Sequence, residues 1–213
     1  MKSDYKFELS KDHYQESHSK NNINWNYEII KNKWVGGHFN LSNMSEGYHG
    51  ILKQWWEYFS KKESEDVLLV AEPPQVKMEF NQIYPHWNIH IIDFFPNLIG
   101  MDSKQYDFHG DLCNRVNPLQ NEKYDLIINQ GTLEHLYDPF TAMFNLFSSL
   151  KKGGIIVTHT MAPLYEFHRA PKDYFRFMKD WWYDLPLFFP EVELLEFHMS
   201  ENTHVFSCYQ KKR

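Results

Sequence analysis

The sequence predicts an α/β protein built on a mostly parallel sheet. Short aliphatic runs, Val67–Ala71, Asn88–Asp93, Tyr124–Asn129 and Ile155–Thr160, recur along the chain. Stretches with apolar residues at helical spacing separate them, the pattern of right-handed β–helix–β crossovers. The tail differs. Val192–Ser200 and Thr203–Gln210 are β-like runs parted only by Glu201-Asn202, which predicts an antiparallel pair added at one edge.

Residues 1 to 47 are polar, rich in Asn, Lys, Ser and His, with a turn signal at Gly36-Gly37. They read as an N-terminal extension or cap on a domain spanning 48 to 213. Between Gly47 and Ser60, Tyr48, Ile51, Leu52, Trp55, Trp56 and Phe59 recur at helical spacing, predicting a core-facing helix. The first strand, Val67–Ala71, runs into Glu72-Pro73-Pro74, and a helix over Pro74 to Tyr84 follows. The second strand, Asn88–Asp93, ends on an acid. A short third strand lies within 106 to 114 and ends near Asp111. The fourth, 124 to 129, precedes a helix with Asp138 as its cap, Pro139 in its first turn and Phe140, Met143, Phe144, Phe147 and Leu150 on one stripe. Gly153-Gly154 stops that helix before the fifth strand, 155 to 160. A last helix is expected over about 172 to 185.

The chain has 213 residues, 42% hydrophobic and 17% aromatic, enough for a large core. Its formal net charge is -6, and its one dense basic run is Lys211-Lys212-Arg213, which argues against a nucleic-acid-binding role. Two cysteines, Cys113 and Cys208, form neither a metal spacing nor a disulfide framework. No run approaches the roughly 18 apolar residues of a membrane span. A cytoplasmic protein without membrane insertion is the expectation.

In an open parallel sheet, ligands bind beyond the carboxyl ends of the strands. That directs attention to Glu72–Gln75, Asp93, Asp111, Asn129–Thr132 and His159–Pro163. Asp93 closes the second strand about 20 residues beyond the first, where nucleotide-binding domains place an acid on ribose hydroxyls. A carboxylate accepts both hydroxyl protons. Asp111 either accepts from an exocyclic amine, with Leu112 packed on a flat ring, or organises the turn after Gly110.

The segments YDLIINQGTLEHLYDP and LKKGGIIVTHTMAP, with HRAPKDYFRF at 168 to 177, resemble class I S-adenosylmethionine-dependent methyltransferases of the small-molecule type. The resemblance covers roughly Asp66 to Phe177. It implies a Rossmann-like three-layer sandwich with a seven-stranded sheet, order 3-2-1-4-5-7-6, and an antiparallel C-terminal strand. It also implies S-adenosyl-L-methionine as cofactor and a small-molecule, glycan or lipid-precursor acceptor. Carried over by position, Asp93 holds the ribose, Asp111 and Leu112 contact adenine, and Asn129 and Gln130 line the methionine end. Glu134 reads as a residue fixing its loop; His135 stays open between loop packing and substrate contact.

The first strand departs from that family. Leu69 stands where an acid is usual, and Ala71 and Pro73 replace glycines. Ala71 is tolerable with a negative φ. Pro73 and Pro74 each remove a donor. Compensation is expected from Pro74 as a first-turn helix residue, exposing the Gln75 and Val76 amides, and from Glu72 as a carboxylate for an ammonium group. The prolines also motivate a rival, a binding or partner module that kept the fold and lost the cofactor. A second rival uses a different nucleotide.

A general base helps a hydroxyl acceptor, and His159 and His168 are either that base or hydrogen-bonded structural or surface histidines. Asp173 and Arg176 offer a substrate clamp, or else pair locally. Trp181, Trp182 and Tyr183 roof an acceptor pocket or fill core. Tyr48 and His49, ahead of the first strand, are candidates to close over the cofactor. The sequence contains no metal motif, no nucleophile elbow and no Walker loop.

Overall fold

The computed structural model describes residues 15–27, 47–60, 65–94, 106–169 and 172–213. In chain order the elements are β1 (Gln15–Ser19), α1 (Gly47–Phe59), β2 (Asp66–Val70), α2 (Pro74–Ile83), β3 (Asn88–Asp93), β4 (Phe108–His109) and β5 (Tyr124–Gln130). A 3-10 turn (Leu133–His135) follows, then α3 (Pro139–Ser149), β6 (Leu150–Met161), α4 (Lys179–Phe188), β7 (Val192–Ser200) and β8 (His204–Lys211).

The strands form one sheet of order β4-β3-β2-β5-β6-β8-β7-β1. The run from β4 to β6 is parallel. β8 is antiparallel to both β6 and β7. With β2 as the first strand of the pattern, this is the expected 3-2-1-4-5-7-6 order plus an eighth strand. That eighth strand is β1, which pairs antiparallel with β7 from Gln15 opposite Ser200 to Ser19 opposite Glu196. The β7–β8 pair is therefore not the edge: β8 lies inside the sheet and β1 covers β7.

Helices pack on both faces, which is why β2 and β5 read as continuous apolar runs. On one face Ile51, Leu52, Trp55 and Trp56 of α1, with Val76 and Phe80 of α2, meet Val67, Leu69, Ile91, Ile128 and Val157. On the other, Met143, Leu146 and Phe147 of α3, with Trp182 and Leu185 of α4, meet Leu68, Val70, Ile127 and Ile156. Trp182 thus belongs to the core.

Asp138 caps α3 as expected: Oδ1 accepts from the Thr141 N–H at 3.0 Å and Oδ2 from its hydroxyl at 2.6 Å. The helix ends at Ser149, and β6 already begins at Leu150, so Gly153-Gly154 lies inside a strand rather than ending the helix. A Cβ at Gly154 would meet the carbonyls of Lys151 and Tyr124 at 2.9 Å, so only glycine allows this close approach. α4 starts at Lys179. Residues 172–178 stay extended because their amides bond elsewhere: Tyr174 N–H to the Glu134 carbonyl (2.8 Å) and Phe177 N–H to that of Met161 (3.0 Å). The Gly36-Gly37 turn and the Tyr48 side chain lie outside the described residues.

Candidate active site at the carboxyl edge of the sheet

Parallel register brings the expected positions to one edge. Val70 lies opposite Ile92 and Asn129, Asp93 opposite His109, and Gln130 opposite His159.

Ala71 has φ +56°, and its N–H donates to the Ile92 carbonyl at 2.8 Å. The negative φ expected of it is not what the chain adopts. The backbone turns as glycine would, at a cost of about 1–2 kcal/mol for an L-residue in the left-handed region. Pro73 occupies the N-cap of α2 with φ -70°, and Pro74 begins the helix, as expected. Val76 N–H is engaged by the Pro73 carbonyl at 2.9 Å, so this helix start offers the Gln75 amide and not both.

Glu72, between them, is 2% exposed. Burial holds the pKa of its carboxyl group well above the usual carboxylate range. Tyr106 is buried nearby; burial, followed by the negative charges of Asp93 and Glu72, pushes its hydroxyl up to about 12.

Asp93 is half-buried, and its carbonyl accepts from the Gly110 N–H at 3.3 Å. Asp111 organises its own turn: Oδ1 accepts from the Cys113 N–H at 2.8 Å and Oδ2 from the Tyr137 hydroxyl at 2.7 Å. Leu112 is buried, and its carbonyl accepts from Asn145 Nδ2 at 2.8 Å. At the end of β5, Asn129 and Gln130 are buried. Asn129 Oδ1 and Nδ2 and Gln130 Oε1 have no hydrogen-bond partner among the described residues. Leaving such groups unmet costs about 1–3 kcal/mol each, so they mark a place where a ligand would supply partners.

One strand over, the 3-10 turn brings a second group together. Glu134 is fully buried. Its Oε2 accepts from the Thr160 hydroxyl at 2.6 Å, while Oε1 has no hydrogen bond among the described residues. Oε1 lies 3.7 Å from His135 Nε2 and 3.8 Å from His168 Nε2. Burial raises the Glu134 carboxyl pKa. The Glu134 carbonyl also holds Tyr174 and Phe175, so this residue does fix its loop. His135 Nδ1 is bonded to the Lys172 carbonyl.

Arg176 and Asp173 pair with each other through both guanidinium nitrogens and both carboxylate oxygens. That pairing holds the Asp173 carboxyl down to about 2. Arg176 also donates to the carbonyls of Tyr165 (3.2 Å), Glu166 (2.7 Å) and Phe175 (2.7 Å), and Asp173 Oδ2 accepts from the His168 N–H at 2.7 Å. These two residues therefore hold the backbone at Tyr165, Glu166, His168 and Phe175. His159 is 1% exposed, with Nε2 at 3.0 Å from His204 Nδ1 and its ring against Phe206. Burial lowers its pKa well below the usual imidazole value. His168 has a third of its side chain exposed. The structure thus separates the two histidines, one interior and one partly exposed.

The Glu134-His135 dipeptide is visible in the sequence, but its proximity to His168 is not. The signal for that would have been the short distance between the ends of β5 and β6, which adjacency in the sheet supplies.

A family model described as a methyltransferase domain matches residues 76–209. Comparison with curated proteins found no match. Among solved structures, a SAM-dependent methyltransferase from Archaeoglobus fulgidus is similar, with TM-score 0.56 and 11% identity over 76% of this chain and 92% of that one. A 1,6-didemethyltoxoflavin-N1-methyltransferase from Burkholderia thailandensis, with bound 1,6-didemethyltoxoflavin and S-adenosylhomocysteine, gives 0.55 and 10% over 77% of each chain. The [4+2]-cyclase SpnF gives 0.53 and 13% over 76% of this chain and 80% of that one. At these identities the likeness is one of fold.

Proposed function

Since the chain belongs to the methyltransferase domain family, we propose that it transfers a methyl group from S-adenosyl-L-methionine to a small-molecule, glycan or lipid-precursor acceptor. The observation that carries this reading is at the sheet edge: both side-chain ends of Asn129 and Gln130 Oε1 are buried without a partner among the described residues, and the Glu72 carboxyl is buried there too.

In this reading Ala71 turns the backbone aside at the amino-acid end of the cofactor, and Glu72 receives its ammonium group. Asp93 holds the ribose, Asp111 and Leu112 border adenine, and Asn129 and Gln130 line the methionine end. When bound, the cofactor would supply the activation, as a sulfonium whose neutral thioether is a ready leaving group. The chain's own residues align the acceptor and exclude water. The acceptor side is the Glu134, His135 and His168 group. His168, with its exposed edge, is the base for a hydroxyl acceptor; His159 is held inside the sheet by His204. Asp173 and Arg176 shape this side by fixing the loop that carries His168.

Calorimetry with S-adenosylmethionine and S-adenosylhomocysteine tests the proposal. Binding in the micromolar range that is lost in Asp93→Ala supports it. Silence with both ligands overturns it in favour of a module that has lost the cofactor.

A further inference from the structure

We propose that Glu134, His135 and His168 form a binding site for a divalent transition-metal ion. One ligand atom from each, a carboxylate oxygen and two imidazole nitrogens, lies within 4.8 Å of the others. The inference needs neither the cofactor nor methyl transfer.

The arrangement around the three is that of prepared ligands. The Lys172 carbonyl can only accept, so His135 Nδ1 carries the proton and Nε2 keeps its lone pair toward Glu134. His168 turns Nε2 toward Glu134 and Nδ1 toward Asp173, whose Oδ2 is 3.6 Å away and is itself fixed by Arg176. A carbonyl behind one imidazole and a carboxylate behind the other is the usual support of metal-bound histidine. Thr160 occupies Glu134 Oε2 and leaves Oε1, buried and without a hydrogen bond among the described residues, facing both imidazoles.

Metal bonds of about 2.0–2.2 Å set tetrahedral ligands about 3.3–3.5 Å apart. The 3.7 and 3.8 Å separations from Oε1 therefore need to close by a few tenths of an ångström, and the two imidazole nitrogens, within 4.8 Å of each other, by up to about 1.5 Å. Two nitrogen donors and one oxygen suit zinc, cobalt, manganese or ferrous iron rather than calcium or magnesium. Three protein ligands leave a position open for water or an oxygen of a bound molecule. With an ion bound, His168 Nε2 is a ligand and accepts no proton. The ion would then acidify an acceptor hydroxyl in the open position, a consequence that does rest on the methyl-transfer reading.

The test titrates the full chain, stripped with chelator, with Zn²⁺ and Co²⁺ by calorimetry and visible absorption. One ion per chain with micromolar or tighter affinity is expected. His135→Ala and His168→Ala should each weaken it at least about tenfold, by analogy with the 10–100-fold losses seen for weaker perturbations of such sites. His86→Ala, at an exposed histidine remote in sequence from the cluster, should leave it unchanged. In unaltered protein, bound Co²⁺ should shift the exchangeable His135 Nδ1–H proton resonance, a readout that needs no variant to fold. Absence of stoichiometric binding, absence of that shift, or equal binding in both site variants overturns the proposal. Cofactor binding measured in chelator stands or falls separately.

Discussion

Glu72 gives the sharpest test of the cofactor site. Its carboxyl group is buried, and burial holds it neutral to a higher pH than its usual 4.5. An arriving ammonium group reverses that balance by stabilising the ionised form. Below the free-state pKa, binding must therefore expel a proton. Affinity for S-adenosylhomocysteine should rise with pH, by up to tenfold per pH unit, and level off above that pKa. The ligand-free protein behaves in the opposite sense. A raised folded-state pKa means that the stability linked to Glu72 is complete below about 4.5 and is lost as pH rises through the folded value. Glu72→Gln keeps the shape and removes the charge. A charge-assisted hydrogen bond contributes about 1.5–3 kcal/mol, so the variant should bind S-adenosylhomocysteine roughly 10- to 150-fold more weakly at pH 8. The deficit should shrink toward pH 5. The same variant should melt at a higher temperature than the parent at pH 8 when no ligand is present. Calorimetry in two buffers of different ionisation enthalpy counts the released proton directly. Equal affinity and equal proton release in parent and variant would refute the assignment of Glu72 to the ammonium group.

Ala71→Gly should stabilise the protein by about 0.5–1 kcal/mol, the strain relieved at φ +56° less the added backbone entropy, read as a higher urea midpoint; a lower midpoint would contradict the left-handed turn. Burial lowers His49, His198 and His204 from 6.5 to about 4, so the unfolded chain takes up protons first and stability falls as pH drops from 6.5 toward 4. At pH 5 the loss is about 2 kcal/mol for each, offset in part by the raised Glu72 and Glu134, and imidazole resonances that all titrate near 6.5 would exclude it. His168→Ala should keep cofactor affinity and lose turnover, whereas His159→Ala should chiefly lower the melting temperature by opening a cavity beside Phe206 and His204. Full turnover in His168→Ala would remove that residue from the reaction.

What the sequence made legible is what local physics decides. Runs buried on both faces, the Asp138 cap and a proline at the first turn of α2 depend on residues close in the chain, and each is found where its pattern pointed. The same logic located the sheet edge, because strands of known direction end together. The misses all depend on partners distant in sequence. β1 exists because β7 offers it an edge and Glu196 takes the Ser19 hydroxyl at 2.9 Å, from 177 residues away. Residues 172–178 carry a helical pattern, yet their amides are claimed by Glu134 and Met161 before a helix can use them. Ala71 shows a subtler limit. Its type argued for a negative φ, but the bond from its N–H to Ile92 fixes the turn, and the chain accepts the strain. The replacement of glycine therefore says little about the turn itself. What it alters is the space beside the backbone, where an added methyl group and two proline rings now stand. Any ligand bound there must rely less on backbone donors and more on side chains such as the buried Glu72 carboxyl, Asn129 Oδ1 and Nδ2, and Gln130 Oε1, the Asn129 and Gln130 atoms having no partner among the described residues.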